Sequence, residues 1–180
     1  MPGSLDVGKP QIKQWFVENQ STINRIVDIG AGHGTYAKLL RENDICKNAE
    51  WIAIEAWEPY TKNLSYVYDK TIIKDVRIVD WDEIGQVDVT IAGDVLEHMT
   101  KNSAKFVVDN ILNHSKTLVI SIPICYLPQE FGKFDMNPYE EHIKPDWSHE
   151  EVMETWGDKV TKFYVPPKDE FQIGVYWLSK

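Results

Sequence analysis

Two hydrophobic rhythms alternate along this chain of 180 residues. Arg25–Ile29, Glu50–Glu55, Thr71–Lys74, Val87–Ala92 and Thr117–Ile124 are short apolar runs rich in valine and isoleucine. That composition fits strands covered on both faces. Between these runs the spacing changes to i, i+3, i+4, the period of a helix with one buried side. Ile12, Trp15 and Phe16 follow Pro10, a residue suited to a first helical turn. Tyr36, Leu39 and Leu40 repeat the spacing, as do Tyr60, Leu64, Val67 and Tyr68 after Pro59. Ala104, Val107, Val108, Ile111 and Leu112 form the longest stripe. Ser148 and Glu151 fit a capping box that opens one more helix, ending before Gly157. Thr161–Val165 and Phe171–Ser179 read as closing strands, and Pro166-Pro167-Lys168-Asp169 as the turn of an antiparallel hairpin between them.

Strands that alternate with helices imply parallel crossovers and an α/β sheet with helices on both faces. In such sheets ligands bind beyond the carboxyl ends of the strands, where the strand order reverses. The length predicts a single domain over 1–180. One stretch breaks the pattern. Residues 126–147 hold three prolines, five aromatic residues and no clear period. Structureless loops beyond ~12–15 residues are uncommon in compact domains and often serve as lids or binding loops.

Composition narrows the function. The net charge is −9 and the chain has three arginines, Arg25, Arg41 and Arg77. Nucleic-acid binders show basic surfaces, so this balance argues against nucleic acid and against an anionic membrane surface. Met1–Asp6 has no basic stretch followed by an apolar one, and no apolar run approaches ~18 residues. A cytoplasmic protein is expected. Cys46 and Cys125 are far apart, with no Cys-x-x-Cys, and read as reduced thiols. No histidine stands at ligand spacing from a cysteine pair, and no compact carboxylate cluster is visible. No metal site is expected.

The chemistry concentrates in Ile26-Val27-Asp28-Ile29-Gly30-Ala31-Gly32-His33-Gly34-Thr35-Tyr36, a strand that runs into a glycine-rich turn and then a helix. Glycines let backbone approach a ligand closely, and a helix start offers free N–H groups. Two ligand classes compete. The dinucleotide fingerprint places its third glycine where Thr35 stands. Asp28, just before the turn, would repel a pyrophosphate but suits a ligand carrying an ammonium and a sulfonium. S-adenosylmethionine is therefore favoured over NAD.

Asp28-Ile29-Gly30-Ala31-Gly32-His33-Gly34 resembles motif I of the class I S-adenosylmethionine-dependent methyltransferases. Gly93-Asp94-Val95-Leu96-Glu97-His98-Met99 is similar to the segment after the fourth strand in their small-molecule, ubiquinone-biosynthesis-like members. The resemblance covers about residues 23–124 and implies a Rossmann-like seven-stranded sheet, mostly parallel with an antiparallel last strand, in a three-layer sandwich. It also implies S-adenosylmethionine as cofactor and S-adenosylhomocysteine as product. Asp28 would orient the turn and the cofactor ammonium, with Gly30, Ala31, Gly32 and Gly34 around it. Glu55 would hold the ribose hydroxyls, beside Ala56. Asp75 and Val76 would contact the adenine, and Asp94 and Val95 the methionine end. Trp57 is either core or a wall of the adenine pocket.

Methyl transfer from a sulfonium is an in-line displacement, and holding the reactants in line supplies ~7–11 kcal/mol. A hydroxyl acceptor also needs a base, a task that suits histidine. His142, read as packed among Tyr126, Phe131, Phe134, Tyr139 and Trp147, is the first candidate, and His98 the second. Each also has a purely structural reading. The acceptor site falls to the 126–147 loop, the first helix and the segment after the fourth strand. That favours a small-molecule or glycan-type O or N acceptor. The rivals are a catalytically silent nucleotide-binding module and an NAD-type oxidoreductase.

Overall fold

The computed structural model describes residues 5–133 and 136–180. Seven strands make one sheet: β1 Arg25–Ile29, β2 Glu50–Glu55, β3 Lys70–Ile73, β4 Val87–Gly93, β5 Ser115–Pro123, β6 Val160–Tyr164 and β7 Ile173–Leu178. Their order is β3-β2-β1-β4-β5-β7-β6. β1 to β5 pair in parallel, and β7 lies antiparallel between β5 and β6. The chain builds outward from β1 to β3, then crosses back to place β4 on the other side of β1. The carboxyl ends of β1 and β4 therefore flank the switch point, where such sheets bind ligands.

Alternate residues on each buried strand feed opposite layers. Ile26, Trp51, Ala53, Val119, Val175 and Trp177 pack with Ile12 and Phe16 of α1 (Lys9–Asn19) and Ala37 and Leu40 of α2 (Thr35–Arg41). Val27, Ile52, Ile54, Leu118, Ile120 and Leu178 pack on the other face. There they meet α3 (Trp81–Ile84), α4 (Lys101–His114) and α5 (His149–Trp156). The period of two thus produces a three-layer sandwich. Thr100 Oγ1 caps α4 through the Ser103 N–H, and Ser148 caps α5 through the Glu151 N–H, at 3.2 and 3.1 Å. Cys46 and Cys125 are both free thiols. Among the described residues no helix is long and apolar enough to cross a membrane.

Several strand ends shift by one or two residues, and one helix changes type. The helix predicted after Pro59 is a run of 3₁₀ turns over Glu58–Tyr66. Its inward residues Tyr60, Leu64, Val67 and Tyr68 are buried as the spacing requires. Local side-chain bonds compete with α-helical geometry here: Thr61 Oγ1 donates to the Glu58 carbonyl at 2.7 Å. β3 starts one residue early and leaves Ile73 half exposed, as the edge of the sheet allows.

Candidate active site

The glycine turn is built by close approaches. Gly30 has φ of +62°, and a Cβ there would stand 2.6 Å from Val95 Cγ2. Only glycine lets the turn pass so close to the end of β4. The Gly30 N–H donates to the Ile54 carbonyl at 2.8 Å, pinning the turn to β2. Gly34, φ +81°, starts α2, and its Cβ would lie 3.0 Å from Val67 Cγ2.

Beyond this turn lies a cavity of about 330 Å³, within the usual size of small-molecule sites. Gly30, Ala31, Gly32, Glu55, Ala56, Asp75, Val76, Asp94 and Val95 all line it. The sequence placed all of these around one ligand, and the fold brings them together. Asp94 has φ of +55°. Such strained backbone in a residue with a side chain is concentrated at functional sites.

Three expected contacts sit off the wall. Asp28 is buried beneath the turn and accepts a hydrogen bond from the Tyr68 hydroxyl, because an inward position on β1 faces the core and not the strand end. Gly34 meets Leu64, Val67 and Tyr68, so its missing side chain serves packing. Trp57 does not line the cavity; Tyr60, read in the sequence as core, lines it and leans on His33 at 4.7 Å between ring centroids. A tyrosine at helical spacing looks like core in a sequence, and nothing in the pattern reports that its edge faces a cavity.

Charge in the cavity is crowded and negative. Glu55 accepts the Gly32 N–H on Oε2 at 2.8 Å and the Trp57 N–H on Oε1 at 2.7 Å. Burial raises its pKa, those N–H groups pull it down, and the charge of Glu140 adds to the rise. Burial also pushes Glu97 well above the usual range, with Asp94 and Glu140 adding repulsion. Asp28 is raised to about 7, chiefly by burial, against the Tyr68 hydrogen bond. For Asp75, burial is outweighed by the hydrogen bonds and charge of Arg77, and the carboxyl is held low.

The long loop is stitched over this cavity. Leu127 N–H donates to Pro145, His142 N–H to Gln129 and Lys144 N–H to Glu97, each at 2.8–2.9 Å. Leu127, Gln129, Asn137, Tyr139, Glu140 and His142 all line the cavity. The aromatic cage expected around His142 does not form. Tyr126 and Phe131 are exposed, Trp147 is buried against Trp156 at 5.3 Å, and Phe134 lies outside the described residues. A proline-broken loop has no apolar period to turn its rings to one side. The ring beside His142 is instead that of His98, at 4.8 Å and 75°.

Both imidazoles are oriented by backbone. His142 Nδ1 donates to the Leu127 carbonyl at 2.6 Å, and His98 Nδ1 to the Glu141 carbonyl at 3.1 Å. For His142 this bond assigns the proton to Nδ1 and leaves a lone pair on Nε2; His98 has a second backbone partner, Asp94. Burial and the charge of His142 depress His98 to about 4. Burial also lowers His142, opposed by its bond to Leu127. Glu97, His98 and His142 each offer a ligand atom within 4.8 Å of the others. The sequence suggested no metal site, because His142 lies far along the chain from Glu97 and only the loop's fold closes that gap.

No protein-family model matches the sequence, and no curated protein does. Solved structures do match in fold. A S-adenosylmethionine-dependent methyltransferase from Clostridium acetobutylicum superposes with a TM-score of 0.73 at 12% identity, covering 95% of this chain and 89% of that one. The plantazolicin methyltransferase in complex with S-adenosylhomocysteine gives 0.69 at 9%, covering 96% and 82%. Magnesium protoporphyrin IX methyltransferase from Synechocystis PCC 6803, with bound S-adenosylmethionine, gives 0.66 at 12%, covering 96% and 78%. The sheet order, the antiparallel strand near its end and these superpositions agree: the chain has the Rossmann-like fold of the class I methyltransferases and resembles that family.

Proposed function

We propose that this protein binds S-adenosylmethionine and transfers its methyl group to a small-molecule or glycan-type O or N acceptor. The observation that carries the reading is Glu55. It closes β2, clasps the glycine turn through Gly32, and lines the cavity at the switch point. Its oxygens accept backbone N–H groups of Gly32, Trp57 and Ala56, and the acceptor capacity that remains suits a ribose hydroxyl. The anionic surroundings suit a sulfonium and an ammonium better than a pyrophosphate. Neighbours of the same fold crystallised with this cofactor or its product support the choice.

In the reaction the acceptor oxygen or nitrogen attacks the methyl carbon and forms the new bond. The carbon–sulfur bond breaks, its electron pair stays on sulfur, and the acceptor's proton leaves. Positioning does most of this work. Asp94 and Val95 hold the methionine part, and Asp75 and Val76 border the adenine. The 126–147 loop forms the acceptor side and excludes water. His142, with His98 behind it, acts on the acceptor's proton, because its lone-pair nitrogen is fixed by the bond from Nδ1 to Leu127. The enzyme is cytoplasmic and acts on neither nucleic acid nor membrane.

Thermal shift with S-adenosylhomocysteine and with NADH separates this reading from an oxidoreductase. A rise in melting temperature with NADH alone would reverse it. A screen with methyl-labelled cofactor and fractionated cell extract separates an enzyme from a silent binding module, which transfers no label.

A further inference from the structure

We infer that Glu97, His98 and His142 form a binding site for a divalent transition-metal ion of the zinc or manganese class, open toward the acceptor side of the cavity. This rests on the methyltransferase reading for its use, but not for its geometry.

Glu97 makes the case from one side. It is 2% exposed, and its Oε2 has no hydrogen-bond partner among the described residues. A buried carboxylate oxygen left unpaired is costly, and a bound cation removes that cost. His98 and His142 make it from the other. Each donates Nδ1–H to a backbone carbonyl, Glu141 and Leu127 respectively. That is the arrangement by which metal-binding histidines are oriented, with the second nitrogen left to the ion; His98, which also meets the Asp94 backbone, must turn from it to ligate. The three ligand atoms lie within 4.8 Å of one another. Ligands held ~2.1 Å from one ion stand about 3.0–3.5 Å apart, so side-chain rotation of about an ångström closes the set. Glu140 also lines the cavity and adds negative charge.

The donor set points to the kind of ion. Two imidazoles and one carboxylate suit zinc, manganese or iron(II), whereas magnesium and calcium prefer oxygen ligands throughout. Three protein ligands leave coordination positions open. Glu97, His98 and His142 all border the cavity, so an acceptor hydroxyl can take an open position. An ion held there would polarise that hydroxyl, so that its proton leaves to solvent as the acceptor enters, before water is excluded; His142 would then serve as a ligand in place of a base. An oxygen acceptor is favoured over a nitrogen one.

The test uses the full chain stripped with chelator and titrated calorimetrically with Zn²⁺ and with Mn²⁺, alongside S-adenosylhomocysteine. The expected result is one ion per chain, with affinity weakened at least tenfold in both Glu97→Gln and His142→Ala. His142→Ala keeps its S-adenosylhomocysteine affinity, which shows that it is folded. Absence of binding by either ion, or binding that both variants retain, overturns the site. Cofactor binding without ion binding removes the ion and leaves the methyl-transfer reading. Ion binding without cofactor binding does the reverse.

Discussion

The Gly32 backbone N–H donates to Glu55 Oε2 at 2.8 Å, joining the glycine turn after β1 to the end of β2. One carboxylate thereby sets the shape of the turn and presents its remaining lone pairs to the cavity.

Replacing that carboxylate removes both effects. Charge-assisted hydrogen bonds are worth ~1.5–3 kcal/mol each. Glu55→Ala is expected to weaken S-adenosylhomocysteine binding by about 10–100-fold per bond lost. Calorimetry on a folded variant checks this; unchanged affinity would take Glu55 out of the site.

Asp28 makes stability depend on pH. Its pKa is about 7 in the folded protein against 3.8 for the free group. Between these values the folded chain keeps a proton that the unfolded chain has lost, so stability falls as pH rises from about 4 to about 7. The full effect is of order 4 kcal/mol at one pKa unit per ~1.4 kcal/mol. Asp28→Asn removes this contribution, so relative to wild type it gains stability as pH rises. Denaturant unfolding of both proteins from pH 5 to 8 measures the difference. A flat difference means Asp28 titrates as a free carboxyl.

The adenine side distinguishes two aromatic residues. Tyr60 lines the cavity and Trp57 does not. Tyr60→Ala is expected to lower S-adenosylhomocysteine affinity at least severalfold, while Trp57→Phe changes it by less than about twofold, in keeping with the few tenths of a kcal/mol of substitutions away from a site. The opposite order, read by calorimetry, would move the adenine toward Trp57.

On the acceptor side, His142→Ala is expected to leave cofactor affinity intact and reduce turnover ~100-fold or more. Chelator treatment of the wild type should produce a comparable loss, restored by Zn²⁺ or Mn²⁺. If the variant turns over a confirmed acceptor at the wild-type rate, neither role of His142 stands.

Local patterns were enough to read the strands, because a strand buried on both faces must be apolar along its whole length. Val27, Ile52 and Leu118 could be assigned for that reason before their partners were known. The glycine turn was equally legible, since backbone at φ of +62° favours glycine by its own sterics. Both are constraints between residues close in sequence, or between a residue and its own backbone. The helix over Tyr60–Tyr68 was read with the right inward face and the wrong geometry. Burial follows spacing, whereas the choice between 3₁₀ and α depends on bonds such as Thr61 to Glu58. What only the tertiary structure decided lies in the long loop. Its prolines remove periodicity, so nothing local indicates which way His142 faces. Hydrogen bonds from the Lys144 N–H to the Glu97 carbonyl, from the His142 N–H to the Gln129 carbonyl and from the His142 ring to the Leu127 carbonyl bring that ring to His98. Contacts across such chain separations leave no period in the sequence, and the Glu97, His98 and His142 cluster exists only once they are made.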